Sequence, residues 1–224
     1  MTKTDDLGSR YDFHSHTFLS DGELGPAELV RRAQVLGIAG IAITDHCDYT
    51  NVEFLIKNLL KNSEQVREGI DVYVGVELTH VPPAKIDALA KKAKSLGAQI
   101  VVVHGETPVE PVEEGTNKAA VSSAFVDVLA HPGYILKEDV ELAKEGNVFL
   151  ELTTRRGHCQ GNEHVAKLAD KVGTNLVVNT DTHAPEDLIN QKQAFEVALA
   201  AGLDERQARK AIKENPLSLI QRLK

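Results

Sequence analysis

Seven short apolar runs alternate with polar or amphipathic stretches along this 224-residue chain, and this alternation constrains the fold more than any other feature. The runs are residues 11–16, 38–46, 72–78, 99–104, 126–131, 148–153 and 176–181. Short apolar runs separated by amphipathic stretches are typical of repeated βα units. The sequence therefore predicts a parallel sheet whose strands are joined by helices.

Seven strand candidates favour a parallel barrel with one unit fewer than the common eightfold version. An open doubly wound sheet is the alternative, and periodicity does not separate the two topologies. The helices are expected at residues 26–36, 52–67, 82–96, 118–125, 137–145 and 164–172. Residues 186–224 are expected to form two or three helices, with breaks near Gly202 and at Asn215-Pro216, that pack on the barrel. We expect residues 1–224 to form a single domain.

Charge, cysteine content and hydropathy indicate which partners and which cellular compartment are expected for the protein. The formal net charge of −8 opposes a nucleic-acid scaffold, since such proteins are usually basic. The two cysteines are far apart and form no Cys-x-x-Cys pair, which favours a reducing cytoplasm over a disulfide framework. No apolar run reaches membrane-spanning length, so a membrane partner is not expected. The sequence gives no indication of the oligomeric state.

The segment YDFHSHTFLSDGE carries the first chemical signal. His14 and His16 are two apart in the first run, and alternate residues of a strand face the same side. Asp21 follows in a Ser-Asp-Gly turn. An isolated His-x-His pair is as often a surface or core pair as a metal ligand set. Here the pattern returns in NTDTH, which carries Asp181 and His183 after the seventh run.

Ligand-competent residues stand at the ends of most runs. In parallel α/β folds the carboxyl ends of the strands line the active site, so these side chains are predicted to converge. Nine ligands exceed what one ion needs, and three divalent ions is the natural count. Imidazole and carboxylate without thiolate suits zinc, manganese or iron. The predicted ligands are His14, His16, Asp21, His46, Glu77, His104, His131, Asp181 and His183.

The segments DFHSHTFLSDG, AITDH, GVELT, VVVHGE, AHPG and NTDTHA resemble the PHP (polymerase and histidinol phosphatase) family of metal-dependent phosphoesterases, in its histidinol-phosphatase-like branch. The resemblance implies a distorted (β/α)7 TIM-like barrel. It also implies how three ions would be held. The first ion would take His14, His16, Glu77 and Asp181; the second would share Glu77 and take His104 and His131; the third would take Asp21, His46 and His183.

The resemblance further implies hydrolysis of a small phosphomonoester, such as histidinol phosphate, by a metal-bridging hydroxide that attacks phosphorus in line. Three divalent ions with three carboxylates leave a positive centre that attracts phosphate despite the acidic chain. Among the ligands, Glu77, Asp181 and His183 are the expected catalytic residues.

The sixth run carries no predicted ligand and ends in TTRRGH. Arginine binds phosphate in a bidentate manner, so Arg155 or Arg156 is a candidate phosphate clamp, and His158 is a candidate substrate contact. Asp45 is expected either to orient His46 or to cap a helix. Glu106 is interpreted either as a base near the site or as a loop charge.

Three other functions stay open. A nucleoside mono- or bisphosphate phosphatase is the main enzyme alternative, because the brief connections between strands leave few residues to shape a specificity pocket. A non-catalytic PHP module in a nucleic-acid assembly is opposed by the acidic charge and the complete ligand set. An amidohydrolase would typically place a lysine where the fourth run ends, and this chain has His104 there.

Overall fold

The computed structural model describes residues 7–63, apart from the side chain of residue 63, and residues 68–223. Eight parallel strands form the sheet, in the order β1-β2-β4-β5-β6-β7-β8, and β3 pairs with β4. The predicted parallel α/β architecture is confirmed. The strands are β1 (Arg10–Asp12), β2 (Ile38–Ile43), β3 (His46–Cys47), β4 (Asp71–Leu78), β5 (Ile100–His104), β6 (Val128–Ala130), β7 (Phe149–Thr153) and β8 (Leu176–Asn179).

The second predicted strand is broken into β2 and β3. β2 pairs with the first half of β4, and β3 pairs with the second half, with His46 opposite Glu77. Asp45 lies at the break, where its carboxylate accepts hydrogen bonds from the Thr17 N–H at 2.7 Å and the Ser20 hydroxyl at 2.7 Å. Asp45 therefore holds the turn after β1. Asp45 caps none of the described helices, and its expected role in orienting a ligand stays a prediction.

The sheet closes on itself just beyond the ends of β1 and β8. Ser15 and Thr182 form a parallel bridge, in which the His16 N–H donates to the Thr182 carbonyl at 2.8 Å. Below this bridge the buried carboxylate of Asp12 accepts a hydrogen bond from the Thr180 hydroxyl at 2.8 Å. The fold is thus a nearly closed, distorted (β/α)7 TIM-like barrel, as the resemblance implied, and the open-sheet alternative is wrong.

The barrel interior is apolar where the strands begin and polar where they end. On β4 the alternation of side chains places Tyr73 in the inner apolar cluster and Glu77 above it. On β5 the same alternation runs from Ile100 through Val102 to His104. The residues of opposite parity pack against the surrounding helices. One barrel face therefore supplies both a core and a polar layer at the mouth.

Helices occupy the predicted connections. Helix α4 starts earlier and is shorter than predicted, because Glu106 accepts hydrogen bonds from the N–H groups of Gly115 and Asn117 and fixes where the helix begins. The last four residues of the predicted helix 52–67 lie outside the described residues. The helices are α1 (Pro26–Val35), α2 (Val52–Ser63), α3 (Pro83–Ser95), α4 (Thr116–Val121), α5 (Lys137–Gly146), α6 (Asn162–Val172), α7 (Gln191–Ala200), α8 (Glu205–Arg209) and α9 (Asn215–Leu223).

The C-terminal helices close the end of the barrel where the strands begin. Leu219 and Ile220 of α9 join the inner apolar cluster. The break expected at Gly202 is present, but the break expected at Asn215-Pro216 is wrong. A π-helical turn over Lys210–Glu214 joins α8 to α9, and such a widened turn accommodates a proline ring that an α-helix would exclude. Among the described residues, no helix is long and apolar enough to cross a membrane.

Candidate metal centre

Glu77 lies at the centre of the polar layer. Its carboxylate is fully buried at the end of β4 and contacts four imidazoles. Oε1 lies 3.2 Å from His14 Nε2 and 3.6 Å from His131 Nε2. Oε2 lies 2.7 Å from His46 Nδ1 and 3.6 Å from His16 Nε2. One carboxylate thus touches histidines that follow β1, begin β3 and follow β6.

Asp181 faces the same histidines from the opposite side of the mouth. Its Oδ1 lies 3.0 Å from His16 Nε2 and 3.5 Å from His14 Nε2, and its Oδ2 lies 3.7 Å from His131 Nε2. Asp181 and His131 have φ angles of +54° and +26°. Non-glycine residues rarely adopt this region, and it costs on the order of 1–3 kcal/mol per residue. The backbone is therefore strained at the two residues whose side chains enter the cluster.

A second group lies at the edge of the mouth. Asp21 Oδ1 is 3.5 Å from His46 Nε2 and 3.3 Å from His183 Nε2, and the rings of His16 and His183 stack at 4.2 Å. The turn that carries Asp21 is tight: a Cβ on Gly22 would lie 2.5 Å from the His16 carbonyl oxygen. Ligand atoms of His16, Asp21, His46 and His183 all lie within 4.8 Å of one another.

A third group joins His104 and His131 to His158, with ligand atoms that also lie within 4.8 Å of one another. His158, a candidate substrate contact, lies among the predicted ligands, with its ring 4.5 Å from that of His131. Glu110, which sequence reasoning missed, reaches this group from the loop between β5 and α4. That loop is rich in Pro, Glu and Gly and carries no periodic signal that would mark a functional side chain.

A buried carboxylate outside the predicted set supports His14. Glu151 Oε2 lies 2.8 Å from His14 Nδ1 and accepts a hydrogen bond from the Asn179 amide at 2.9 Å. His14 is thereby oriented with Nε2 toward Glu77. Sequence reasoning assigned nothing to the sixth run except its end. The available signal was a single glutamate inside the apolar run FLELT.

Two more histidines are oriented in the same way. His46 Nδ1 lies 2.7 Å from the Thr79 hydroxyl, and His183 Nδ1 lies 2.8 Å from the Asp181 carbonyl oxygen. Both contacts leave Nε2 facing Asp21. Such contacts fix the ring orientation of metal-binding histidines.

The pKa shifts of Asp181 and His16 suit cation binding, whereas His46, with its raised pKa, must release a proton to bind an ion. Burial opposes charge on His46, but the carboxylate of Glu77 outweighs it and raises the pKa of the imidazole to about 9. Burial also opposes ionisation of Asp181, but the imidazole of His14 holds the pKa of that carboxyl well below its usual range. Burial lowers the pKa of His16 to about 4, which keeps that ring neutral near pH 7. An ionised carboxylate and a neutral imidazole are the forms that bind metal ions.

The donor atoms also fit divalent cations. In the described part of the chain, eleven buried side-chain N or O atoms lack a hydrogen-bond partner, and eight of them belong to this cluster. Leaving such atoms unpaired is costly, and bound ions would satisfy those that face the cluster, one nitrogen from each ring. Their N-to-O separations centre on the edge of a tetrahedron around zinc, about 3.3 Å for bonds of about 2.0–2.1 Å. The eight atoms are His14 Nε2, His16 Nδ1 and Nε2, Glu77 Oε1, His131 Nδ1 and Nε2, His158 Nδ1 and Asp181 Oδ1.

The two candidate phosphate clamps differ in their surroundings. Arg155 Nη1 lies 3.4 Å from Asp187 Oδ2, and the same oxygen accepts a hydrogen bond from the His183 N–H at 2.8 Å. Arg155 is therefore tied to the segment that carries His183. Arg156 is exposed. Glu106 braces the loop through its contacts with backbone N–H groups, in line with the loop-charge interpretation.

Comparisons with known proteins agree with this geometry. The chain is 53% identical over 217 residues to an uncharacterized protein of Methanocaldococcus jannaschii, with 96% of this chain and 100% of that protein covered. It is 28% identical over 227 residues to ribonuclease P protein component 3 of Methanosarcina mazei, with 95% and 89% covered.

The fold is similar to that of histidinol phosphate phosphatase from Lactococcus lactis, solved with zinc, L-histidinol and phosphate, at a TM-score of 0.63 and 15% identity over 88% of this chain and 95% of that one. The family model of the PHP domain matches residues 12–155, from the end of β1 to just beyond β7. The chain therefore belongs to the PHP domain family.

Proposed function

We propose that the chain is a metal-dependent phosphoesterase that hydrolyses a small phosphomonoester, with a histidinol-phosphate-like compound as the leading substrate. The observation that carries this proposal is the convergence of buried, unpaired imidazole and carboxylate atoms at the barrel mouth. A cluster of this kind is too polar and too poorly hydrogen-bonded to be a structural core.

We infer that three divalent ions, of zinc, manganese or iron, occupy the cluster. When bound, such ions would supply Lewis-acid activation of water and neutralise charge on phosphate oxygens. Glu77 contacts the histidines of more than one group, which suits a bridging role. The inferred ligands are His14, His16, Glu77 and Asp181 for the first ion, Glu77, His104 and His131 for the second, and Asp21, His46 and His183 for the third.

The protein's own residues would then position the substrate. Arg155 offers a planar guanidinium at the rim, anchored through Asp187 beside His183, and suits one edge of a phosphate. Asp21 is half exposed, whereas Glu77 and Asp181 are buried, so substrate would enter on the Asp21 side. Glu77, Asp181 and His183 would act by fixing the reacting groups in a site sheltered from bulk water.

The test is phosphate release from a panel of esters by protein loaded with zinc or manganese. The panel contains histidinol phosphate, nucleoside monophosphates, nucleoside bisphosphates and sugar phosphates. We expect turnover of one class, lost in Asp181→Asn and retained in Glu163→Gln, a matched change on an exposed helical residue. A nucleotide as the best substrate would favour the small-nucleotide alternative. Silence across the panel from metal-loaded protein would sink the phosphomonoesterase proposal.

A second candidate is a non-catalytic PHP module in a nucleic-acid assembly. It is favoured by 28% identity to a ribonuclease P protein component over nearly the whole chain. The net charge of −8 weighs against direct RNA binding. An electrophoretic mobility assay at low salt separates this candidate from the phosphoesterase. It compares a transfer RNA precursor and a ribonuclease P RNA, each with and without the protein. A shift with either RNA, together with silence in the phosphate assay, would favour the second candidate.

A further inference from the structure

We propose that Glu110 and His158 complete a four-residue metal site with His104 and His131, in which the loop between β5 and α4 supplies the carboxylate. This inference rests on the proposed metal dependence. It adds to the second ion two residues that the PHP resemblance did not supply as ligands, and it assigns the loop a direct contact with that ion.

The distances bring Glu110 to two of the three histidines of this group. Glu110 Oε2 lies 3.2 Å from His104 Nε2, and Glu110 Oε1 lies 3.3 Å from His158 Nε2. Both separations match the edge of a tetrahedron around zinc, about 3.3 Å. The rings of His104 and His131 are 4.5 Å apart, as are those of His131 and His158. Glu110 thus links His104 to His158, and the ring of His131 lies beside both of their rings.

Within the residues that the structure describes, burial leaves ring nitrogens of His131 and His158 without a hydrogen-bond partner, which favours a ligand in this group. His104 and His131 are 2% exposed and His158 is 8% exposed. His158 Nδ1 and both ring nitrogens of His131 have no hydrogen-bond partner among the described residues. Three imidazoles and one carboxylate, without thiolate, suit zinc, and the shared Glu77 would be a fifth ligand, an expansion that zinc sites accept. Glu110 is the more exposed member, with 37% of its side chain accessible, so it would cover the ion on the solvent side.

Contacts at two places hold the loop between β5 and α4 beside the histidines. Glu106 fixes the two ends of the loop together through the N–H groups of Gly115 and Asn117. Near its middle, Val109 packs on the segment before His158: a Cβ on Gly157 would lie 3.2 Å from Val109 Cγ1. Glu110 therefore reaches the histidines from a loop anchored at both its base and its tip.

The experiment compares Glu110→Gln and His158→Asn with Glu114→Gln, which makes the same change of charge on an exposed residue of the same loop. Each protein is equilibrated with zinc, desalted and analysed for ions per chain by atomic emission. Zinc affinity is measured by competition with a chromogenic chelator, and the absorption spectrum is recorded after loading with cobalt. Thermal melting and circular dichroism check the fold of each variant.

We expect both site variants to hold one ion fewer per chain than the wild type, or to bind that ion about 10- to 100-fold more weakly. The cobalt spectrum should lose intensity in both, while Glu114→Gln should match the wild type. Unchanged ion content, affinity and spectrum in both site variants would overturn this proposal and leave the phosphoesterase proposal intact. A wild-type protein that takes up no ion would overturn both.

Discussion

His14 Nδ1 lies 2.8 Å from Glu151 Oε2, and both side chains are fully buried. This pair sets the direction of the imidazole, because the opposite nitrogen is then turned toward Glu77 at 3.2 Å. A carboxylate in this position also makes the ring a stronger electron donor to an ion. Strand β7, which carries Glu151, therefore contributes to the centre without contributing a predicted ligand.

Glu151→Gln is expected to lower metal affinity about 10- to 100-fold, since the amide keeps the shape of the side chain but removes its charge. Chelator competition measures the change, and Glu163→Gln on the exposed face of α6 serves as the control. If Glu151→Gln binds zinc as tightly as the control does, the contact with His14 does not support the centre.

Asp12→Ala is expected to destabilise the fold by about 3–5 kcal/mol, because it removes the carboxylate that pairs with the buried guanidinium of Arg10. The same change removes the acceptor of the Thr180 hydroxyl at the seam between β1 and β8. Urea unfolding followed by circular dichroism measures the loss. Glu28→Ala breaks the exposed pair with Arg32 in α1 and should cost less than about 1 kcal/mol. Equal losses in the two variants would contradict a structural role for the seam pair.

Gly22→Ala is expected to weaken the Asp21 group although it alters no predicted ligand. The added Cβ would lie 2.5 Å from the His16 carbonyl oxygen, so the turn must move and carry Asp21 with it. Gly37→Ala is the control, because nothing lies within 4 Å of its added Cβ, although its φ of +81° makes the alanine costly by about 1–2 kcal/mol. Ion content per chain should fall by one in Gly22→Ala and stay constant in Gly37→Ala. Full ion content in Gly22→Ala would show that the turn tolerates the methyl group.

A maleimide reagent is expected to label one thiol per chain in the native protein. Cys159 is exposed, whereas Cys47 is 2% exposed and burial raises the pKa of its thiol to about 12. Mass spectrometry of digested protein identifies the labelled residue. Unfolding in guanidinium should make the Cys47 thiol accessible to the reagent as well. Rapid labelling of Cys47 in the native state would contradict its burial beside β4.

Much of the fold and of the polar layer could be predicted because the relevant residues follow strands. A run such as IVVVH predicts a strand, and parallel strands bring their carboxyl ends to the same side of the barrel. His104 and Glu77 could therefore be assigned to one mouth from the sequence. The break after Ile43 could not be predicted, because it depends on a contact distant in sequence. The Asp45 carboxylate accepts a hydrogen bond from the Thr17 N–H.

Residues on irregular segments escaped this logic. Glu110 lies in a loop without periodicity, and His158 begins a short 3₁₀ turn after β7. Their positions depend on contacts such as that between Val109 and Gly157, which no local pattern encodes. Glu151 escaped for a different reason: its strand was recognised, but the charge inside it had no visible partner until His14 was placed beside it.

The closure of the barrel between its first and last strands has a consequence for the order in which the molecule forms. The hydrogen bond from Arg10 to the Val178 carbonyl joins residues 168 positions apart. Contacts between such distant residues carry the largest loop-closure cost and form late in folding. His14 and Asp181 meet only across this closure. A nascent chain therefore lacks Asp181 and His183 until synthesis has passed them. We expect the ions that use these two residues to be taken up only after the ring has closed, which stopped-flow zinc uptake during refolding can time against the recovery of sheet structure.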